Sequence, residues 1–165
     1  MTAKTGTYSL ISSIAVTSAI SSVTFTSIPS TFTDLVITMN AIATTNFTGT
    51  RIVINSDTST NYSFLALKGD GSSVTSNRTG TTANLDFGLI NTSRSMNTFV
   101  FNDYSNTTTF KPMLQFGGPP ANRVEVAVAT WRSTSAISSI QIVQPADTFA
   151  ANSYFKLYGI EAGNL

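Results

Sequence analysis

The groups able to do acid–base chemistry in this chain are eight carboxylates and nine Lys or Arg side chains. The sequence has no histidine and no cysteine, so it lacks the usual general base, the commonest metal ligand, thiolates and disulfides. A nucleophilic serine would therefore need a lysine as its base. Lys156 stands two residues from both Tyr154 and Tyr158, where its stem more readily lies along an aromatic ring. Nucleophilic catalysis is not indicated.

Paired carboxylates are the second possible chemistry, because two of them flanking a cleft can hydrolyse a glycosidic bond. Glu125 interrupts a strand-like pattern beside Arg123, and a pair such as Asp103 with Glu125 is conceivable. The simpler interpretation is an outward-facing charge on a strand. The acidic turns at 57–61 and 69–73 each offer one carboxylate, too few for a calcium site. We predict no enzyme activity, no metal and no cofactor, with a carbohydrate-active β-sandwich enzyme as an alternative from another class.

Composition defines the scaffold that must position these groups. The 165 residues are 41% hydrophobic, carry 10% charged residues and have a net charge of +1. This length predicts one domain, and the near-neutral charge offers no basic footprint for nucleic acid or an anionic membrane. Abundant Thr, Val, Ile, Phe and Tyr favour strands over helices. An all-β protein follows.

Alternating apolar runs separated by turn residues predict ten short strands. Pro112 suggests an edge strand, because proline cannot donate to a ladder. Residues 69–84 are predicted to form a long polar loop. This pattern predicts an antiparallel β-sandwich, and we favour a jelly roll. The predicted strands lie at 23–28, 34–42, 51–55, 62–68, 85–90, 98–104, 110–116, 123–131, 136–143 and 154–160.

Two similar segments occur near the two ends of the chain: SAISSVTFTSIPSTF starts at Ser18 and SAISSIQIVQPADTF starts at Ser135. Each introduces a predicted strand, then a proline turn, then Thr-Phe. Because first and last strands of sandwiches are often neighbours, the two segments could lie side by side. The alternative is an echo generated by Ser-Ile alternation in a serine-rich chain.

Several apolar side chains are candidates for contact with a partner. In the strand 123–131, Val124, Val126 and Val128 point one way, while Trp131 shares the other, polar face with Arg123 and Glu125. The last strand is apolar on both faces, and residues 1–20 form either an extended N-terminal arm or the first strand, ahead of a sandwich domain at 21–165. The predicted interaction residues are Tyr8, Leu10, Ile11, Arg123, Trp131, Tyr154 and Tyr158.

Segments along most of the chain resemble a family of small bacteriophage virion proteins. They are YSLISSIAV, SSVTFTSIPSTFTDLVITMNA, NTTTF, ATWRSTSAISSIQI and TFAANSYFKLYGI, whereas residues 66–97 do not align by eye. The resemblance implies a jelly-roll protein on the phage exterior: a capsid decoration (cement) protein, a head fibre, or a tail or receptor-binding component.

We therefore expect a capsid decoration protein that binds the major capsid protein and itself, as a homotrimer. It would sit on the capsid exterior of a virion assembled in the bacterial cytoplasm, with no nucleic-acid or membrane partner. The alternative is a tail or receptor-binding protein whose loop 69–84 touches host-surface glycans.

Overall fold

Twelve β-strands and no α-helix make up the part of the chain that the computed structural model describes, residues 7–45 and 48–161. No helix in these two ranges could span a bilayer. The strands are β1 (Tyr8–Ala15), β2 (Ser22–Phe25), β3 (Asp34–Ala41), β4 (Arg51–Ile54), β5 (Tyr62–Gly69), β6 (Val74–Thr82), β7 (Leu85–Asp86), β8 (Ser95–Phe101), β9 (Lys111–Gly118), β10 (Val124–Trp131), β11 (Ile140–Val143) and β12 (Tyr154–Ile160).

The strands form two antiparallel sheets packed face to face. The larger has eight strands in the order β1-β12-β3-β8-β9-β10-β5-β6, and the smaller has four in the order β2-β11-β4-β7. The fold class is therefore the predicted all-β sandwich. The jelly-roll topology is not confirmed, because a jelly roll has eight strands in two sheets, whereas twelve described strands divide here eight and four.

Aromatic rings dominate the core between the sheets. Phe64 meets Phe87 edge-on with ring centroids 5.5 Å apart, and Phe149 meets Phe155 at 4.8 Å. Such pairs add stability beyond the area they bury. Ala129 of β10 lies directly opposite Phe64 of β5 in the same sheet, and Ala127 and Ala129 are both buried, so their small side chains leave room for the ring.

The two faces of β10 are therefore the reverse of the prediction. Glu125 and Trp131 point into the core with Ala127 and Ala129, while the valines point to solvent. We predicted that the side of β10 with Val124, Val126 and Val128 faces the core, because it is the more hydrophobic side. The core instead selects for volume, and a buried ion pair, described below, accommodates Glu125.

Two other predictions about elements were wrong: the loop at 69–84 and the edge position of the strand that contains Pro112. Residues 74–82 form β6, which pairs with β5 although both of its faces are polar. Strand β9 is central, between β8 and β10. Its Pro112 carbonyl accepts a hydrogen bond from Asn102 N, just past the end of β8. Since the nitrogen and carbonyl of one strand residue face the same neighbour, the missing N–H falls where that ladder has ended.

The N-terminal segment is an edge strand. Within the predicted arm at 1–20, β1 pairs antiparallel with β12, with Tyr8 opposite Ile160 and Ala15 opposite Tyr154. The start of the predicted arm, residues 1–6, lies outside the described residues. The two similar segments do lie side by side, because β2 pairs with β11 and places Phe25 opposite Ile140.

Candidate interaction surfaces

An unbroken apolar row crosses the outer face of the large sheet, the face that points away from the small sheet. Each member lies directly opposite the next in the strand register. The row ends at Arg78 on β6. From β1 to β5 it comprises Leu10, Tyr158, Val36, Val100, Leu114, Val128 and Leu65.

The most exposed part of this face is an apolar patch on the adjacent strands β9, β10 and β5. Val128 is 58% exposed and Leu67 is 54% exposed. Together the seven side chains expose on the order of 600 Å², the upper end of what a typical monomer leaves in its largest apolar patch. The largest apolar patch on a monomer is often a functional surface. The apolar patch comprises Leu65, Leu67, Leu114, Phe116, Val124, Val126 and Val128.

The opposite side of the sandwich is more polar. On the small sheet, Thr24 of β2 points outward beside Gln141 of β11, while Val23, Phe25 and Ile142 point into the core. The two outer faces of the sandwich therefore differ in polarity, with apolar side chains concentrated on the outer face of the large sheet. A protein with this asymmetry is suited to lie against a neighbour on one side and face solvent on the other.

Four of the predicted interaction residues lie on the outer face at the β1–β12 edge, three of them near one end and Tyr154 at the other end. Leu10 lies opposite Tyr158, and the rings of Tyr8 and Tyr158 meet edge-on with centroids 6.0 Å apart. The guanidinium of Arg94 lies 5.3 Å from the centre of the Tyr154 ring, a cation–π contact. Tyr8, Leu10 and Tyr154 are exposed. We call Tyr8, Leu10, Tyr154 and Tyr158 the aromatic edge.

The other three predicted interaction residues do not join that group. Ile11 sits at a β-bulge, where the register shifts between Leu10 and Ser12, and it packs against the core. A bulge turns successive side chains out of the usual alternation. Arg123 precedes β10 in the turn after β9, where its N–H donates to Pro119 O. It therefore lies at the opposite end of β10 from Trp131.

Trp131 is a core residue rather than an exposed one. Only 3% of it is exposed, and its indole N–H donates to Asp57 Oδ2 at 2.7 Å. Burial alone would raise the pKa of the Asp57 carboxyl, but hydrogen bonds from Ser59, Asn61 and Trp131 outweigh burial and hold that pKa well below its usual range. The prediction of a surface role for Trp131 was therefore wrong: the indole N–H has found its partner within the chain.

A polar cleft lies under β6, where the large sheet overhangs the small one. At a spacing of about 4.8 Å per strand, eight strands are roughly 34 Å wide and four are roughly 14 Å wide. The small sheet ends at β7 beside β5, so the core side of β6 is left open. The resulting cleft has a volume of about 430 Å³, within the range of small-molecule sites.

The floor of this cleft contains a buried ion pair. Lys68 and Glu125 are directly opposite on β5 and β10, and Lys68 Nζ lies 3.2 Å from Glu125 Oε1. Glu125 is fully buried, and its Oε2 accepts a hydrogen bond from Gly88 N at 3.0 Å. These two partners explain how a carboxylate is tolerated between the sheets.

The structure does not bring together the carboxylate pair considered in the sequence. Asp103 lies in the turn between β8 and β9, beyond Phe101 and Met113, whereas Glu125 lies opposite Gly117 near the other end of β9. Four residues of extended strand separate Met113 from Gly117, about 13 Å. Over residues 7–45 and 48–161, no cluster of three acidic side chains could hold a metal ion.

Sequence reasoning missed the apolar patch and the cleft. A signal for the patch was present: β5 alternates Tyr62 and Phe64 with Leu65 and Leu67, so both of its faces are apolar. A strand with two apolar faces in a two-layer fold indicates that its outer side is also covered in use. The cleft had no comparable signal, because it depends on unequal sheet widths.

Comparisons with known proteins give no further guide to this fold or these surfaces. A scan against protein-family models, a search of curated proteins and a search of solved structures each returned no significant match.

Proposed function

We propose that this chain is a bacteriophage capsid decoration (cement) protein. It binds the lattice of the major capsid protein through the outer face of its large sheet and adds contact area across the joints between capsomers. The apolar row from Leu10 to Leu65 carries this proposal, because it runs across seven strands of a sandwich whose other exterior is more polar. The resemblance to small phage virion proteins supports the same assignment.

The mechanism is burial of apolar surface without a chemical step. Covering roughly 600 Å² of apolar surface contributes on the order of 15 kcal/mol before the costs of association. Stable interfaces bury about 800 Å² on each partner, so the apolar patch with its polar surroundings is large enough for one. Opening a joint between capsomers would then require this contact to be broken.

Self-association would strengthen this contact. We propose a homotrimer in which the aromatic edge of one copy contacts the next, because closed symmetry is usual for such assemblies. Three linked copies raise the effective concentration of each weak contact. Tyr8 and Tyr158 would be covered in such a trimer, as they lie on the edge pair of strands.

Cryo-electron microscopy of the virion encoding this chain tests the proposal. We expect density for the sandwich at symmetric positions on the head exterior, with Val126 and Leu67 against the major capsid protein. Density confined to the tail tip, or absence of the chain from purified particles, would contradict it.

The receptor-binding alternative has one observation of its own. The polar cleft is lined partly by residues of the 69–84 segment, which the sequence indicated as a possible glycan contact. Under this alternative the same microscopy would place the chain on the tail, with the cleft pointing away from the particle.

A further inference from the structure

The cleft under β6 presents hydrogen-bonding groups that the fold leaves unused. Asn77 and Thr79 lie opposite Ala66 and Phe64, so they share the core side of the sheet, where the small sheet does not cover them. Thr82 and Asn84 complete this polar wall. Within the described ranges, none of these four side chains has a hydrogen-bond partner. Their amides and hydroxyls can each donate and accept.

The charged groups around the cleft are already paired. Arg51 Nε lies 3.7 Å from Asp86 Oδ2, and Lys68 Nζ lies 3.2 Å from Glu125 Oε1. The two cations and two anions cancel. An ionic ligand could form an ion pair here only by breaking one of the two existing ion pairs. A neutral ligand can instead form hydrogen bonds with the uncharged polar side chains without breaking either pair.

A small apolar area lies at the base of the polar wall. Phe64 and Leu89 line the cleft there, with only 7% and 6% of their surfaces exposed, and the Phe64 ring makes an edge-on contact with Phe87. A pyranose ring has this same division, with hydroxyl groups around its rim and C–H groups on its face. The volume of about 430 Å³ accommodates one or two such rings.

We propose that this cleft is a carbohydrate-binding site for a neutral hexose unit of a polysaccharide. The side chains of Asn77, Thr79 and Asn84 bind the hydroxyl groups, and the small exposed part of Phe64 contacts the C–H groups of the sugar. β6 is the edge strand of the large sheet, so the cleft opens at the sheet edge. The inference does not depend on capsid binding; it gives the receptor-binding alternative a defined site.

Titration of the ¹⁵N-labelled protein with methyl glucoside, methyl galactoside, methyl mannoside and N-acetylglucosamine tests the proposal by chemical shift. We expect saturable shifts for amides of β6 and residues 84–89 with at least one sugar, at about millimolar Kd for a ligand of this size. Amides of Leu114 and Phe116, the part of the apolar patch on β9, should not move. Glycerol and N-acetylneuraminate serve as the adventitious-polyol and anionic controls.

Two single substitutions provide the matched comparison. Asn77→Ala should weaken sugar binding about tenfold, because one pair of hydrogen bonds is lost. Ser76→Ala, on the opposite face of the same strand, should leave the Kd unchanged. The titration spectra themselves report whether each variant is folded.

Three results would overturn the site: no saturable shift with any neutral sugar, shifts that glycerol reproduces, or tighter binding of N-acetylneuraminate than of the neutral sugars. Equal sugar affinities of the Asn77→Ala and Ser76→Ala variants would also contradict the proposed site. Each of these results would leave the capsid proposal intact, since that depends on the outer face.

Discussion

Glu125 and Lys68 lie directly opposite one another on β10 and β5 and meet at 3.2 Å between the two sheets. The carboxylate is fully buried, while the lysine side chain keeps 19% of its surface exposed at the cleft. The pair therefore joins the core of the sandwich to the polar cleft, and its loss should affect stability before anything else.

Breaking this pair from the lysine side should be costly. Lys68→Met leaves the Glu125 carboxylate buried with only Gly88 N as a partner, and we expect a loss of about 3–5 kcal/mol in the free energy of unfolding. The double variant Lys68→Met/Glu125→Gln removes the uncompensated charge and should recover part of that loss. Urea denaturation at neutral pH measures both. Equal stability of the two variants would show that the charge is not desolvated.

A charge placed in the centre of the apolar patch should block assembly while preserving the fold. Val126→Lys is expected to leave the unfolding free energy within about 0.5 kcal/mol, as for other exposed sites, because Val126 is 44% exposed. It should abolish incorporation into virions, measured by quantitative mass spectrometry of purified particles. Thr24→Lys, on the outer side of the small sheet, is the matched control and should be incorporated normally. Comparable incorporation of the two variants would argue against the outer face as the docking surface.

The Tyr62 hydroxyl should make the fold sensitive to alkali. It accepts a hydrogen bond from Ile54 N at 3.0 Å and donates to Asp57 O at 2.9 Å, and burial raises its pKa to about 12. Because the folded-state pKa lies above the ordinary tyrosine pKa of 10.0, this stability is fully present below pH 10 and is lost as pH rises toward 12.

The variant Tyr62→Phe isolates that contribution. It should lower the unfolding free energy at pH 7 by about 1–3 kcal/mol, since Ile54 N loses its buried partner. The wild-type advantage should shrink between pH 10 and 12, measured by chemical denaturation across that range. Tyr8→Phe, at an exposed position, is the control and should show neither effect.

Asp57 should produce the opposite dependence in acid. Its carboxyl pKa lies below the ordinary aspartate pKa of 3.8, so the stability it contributes is present above pH 3.8 and is lost as pH falls toward the folded-state pKa. Asp57→Asn should lower the unfolding free energy by about 1–3 kcal/mol at pH 7. The difference in unfolding free energy between the wild type and this variant should become smaller below pH 4, as measured by denaturation curves. A gap of constant size down to pH 2 would mean that the carboxylate charge contributes nothing.

The sequence predicted strands that are strongly apolar and failed where strand pairing or side-chain volume decides the structure. β12 was placed at 154–160, its observed bounds, because both of its faces are apolar and its ends are sharp. β6 was missed because it is polar throughout and owes its strand conformation to backbone pairing with β5.

The candidate surfaces were harder to predict than the fold. The sequence named Tyr8, Leu10, Tyr154 and Tyr158 as interaction residues but could not place them on a common edge, because that depends on the long-range pairing of β1 with β12. Trp131 was misplaced because alternation alone cannot tell which side of β10 faces the rings of the core. The cleft arises from unequal numbers of strands in the two layers, a property of topology that no local stretch of sequence encodes.

The antiparallel pairing of β1 with β12 has a practical consequence for engineering. It brings Tyr8 beside Ile160 at one corner of the molecule, while β6 forms the far border of the same sheet. A reporter or antigen spliced ahead of Tyr8 or behind Ile160 would emerge from a shared corner, at the maximum lateral distance from Asn77. Joining these two positions with a short linker and reopening the chain at the Gly71 turn would give a circular permutant that keeps every ladder.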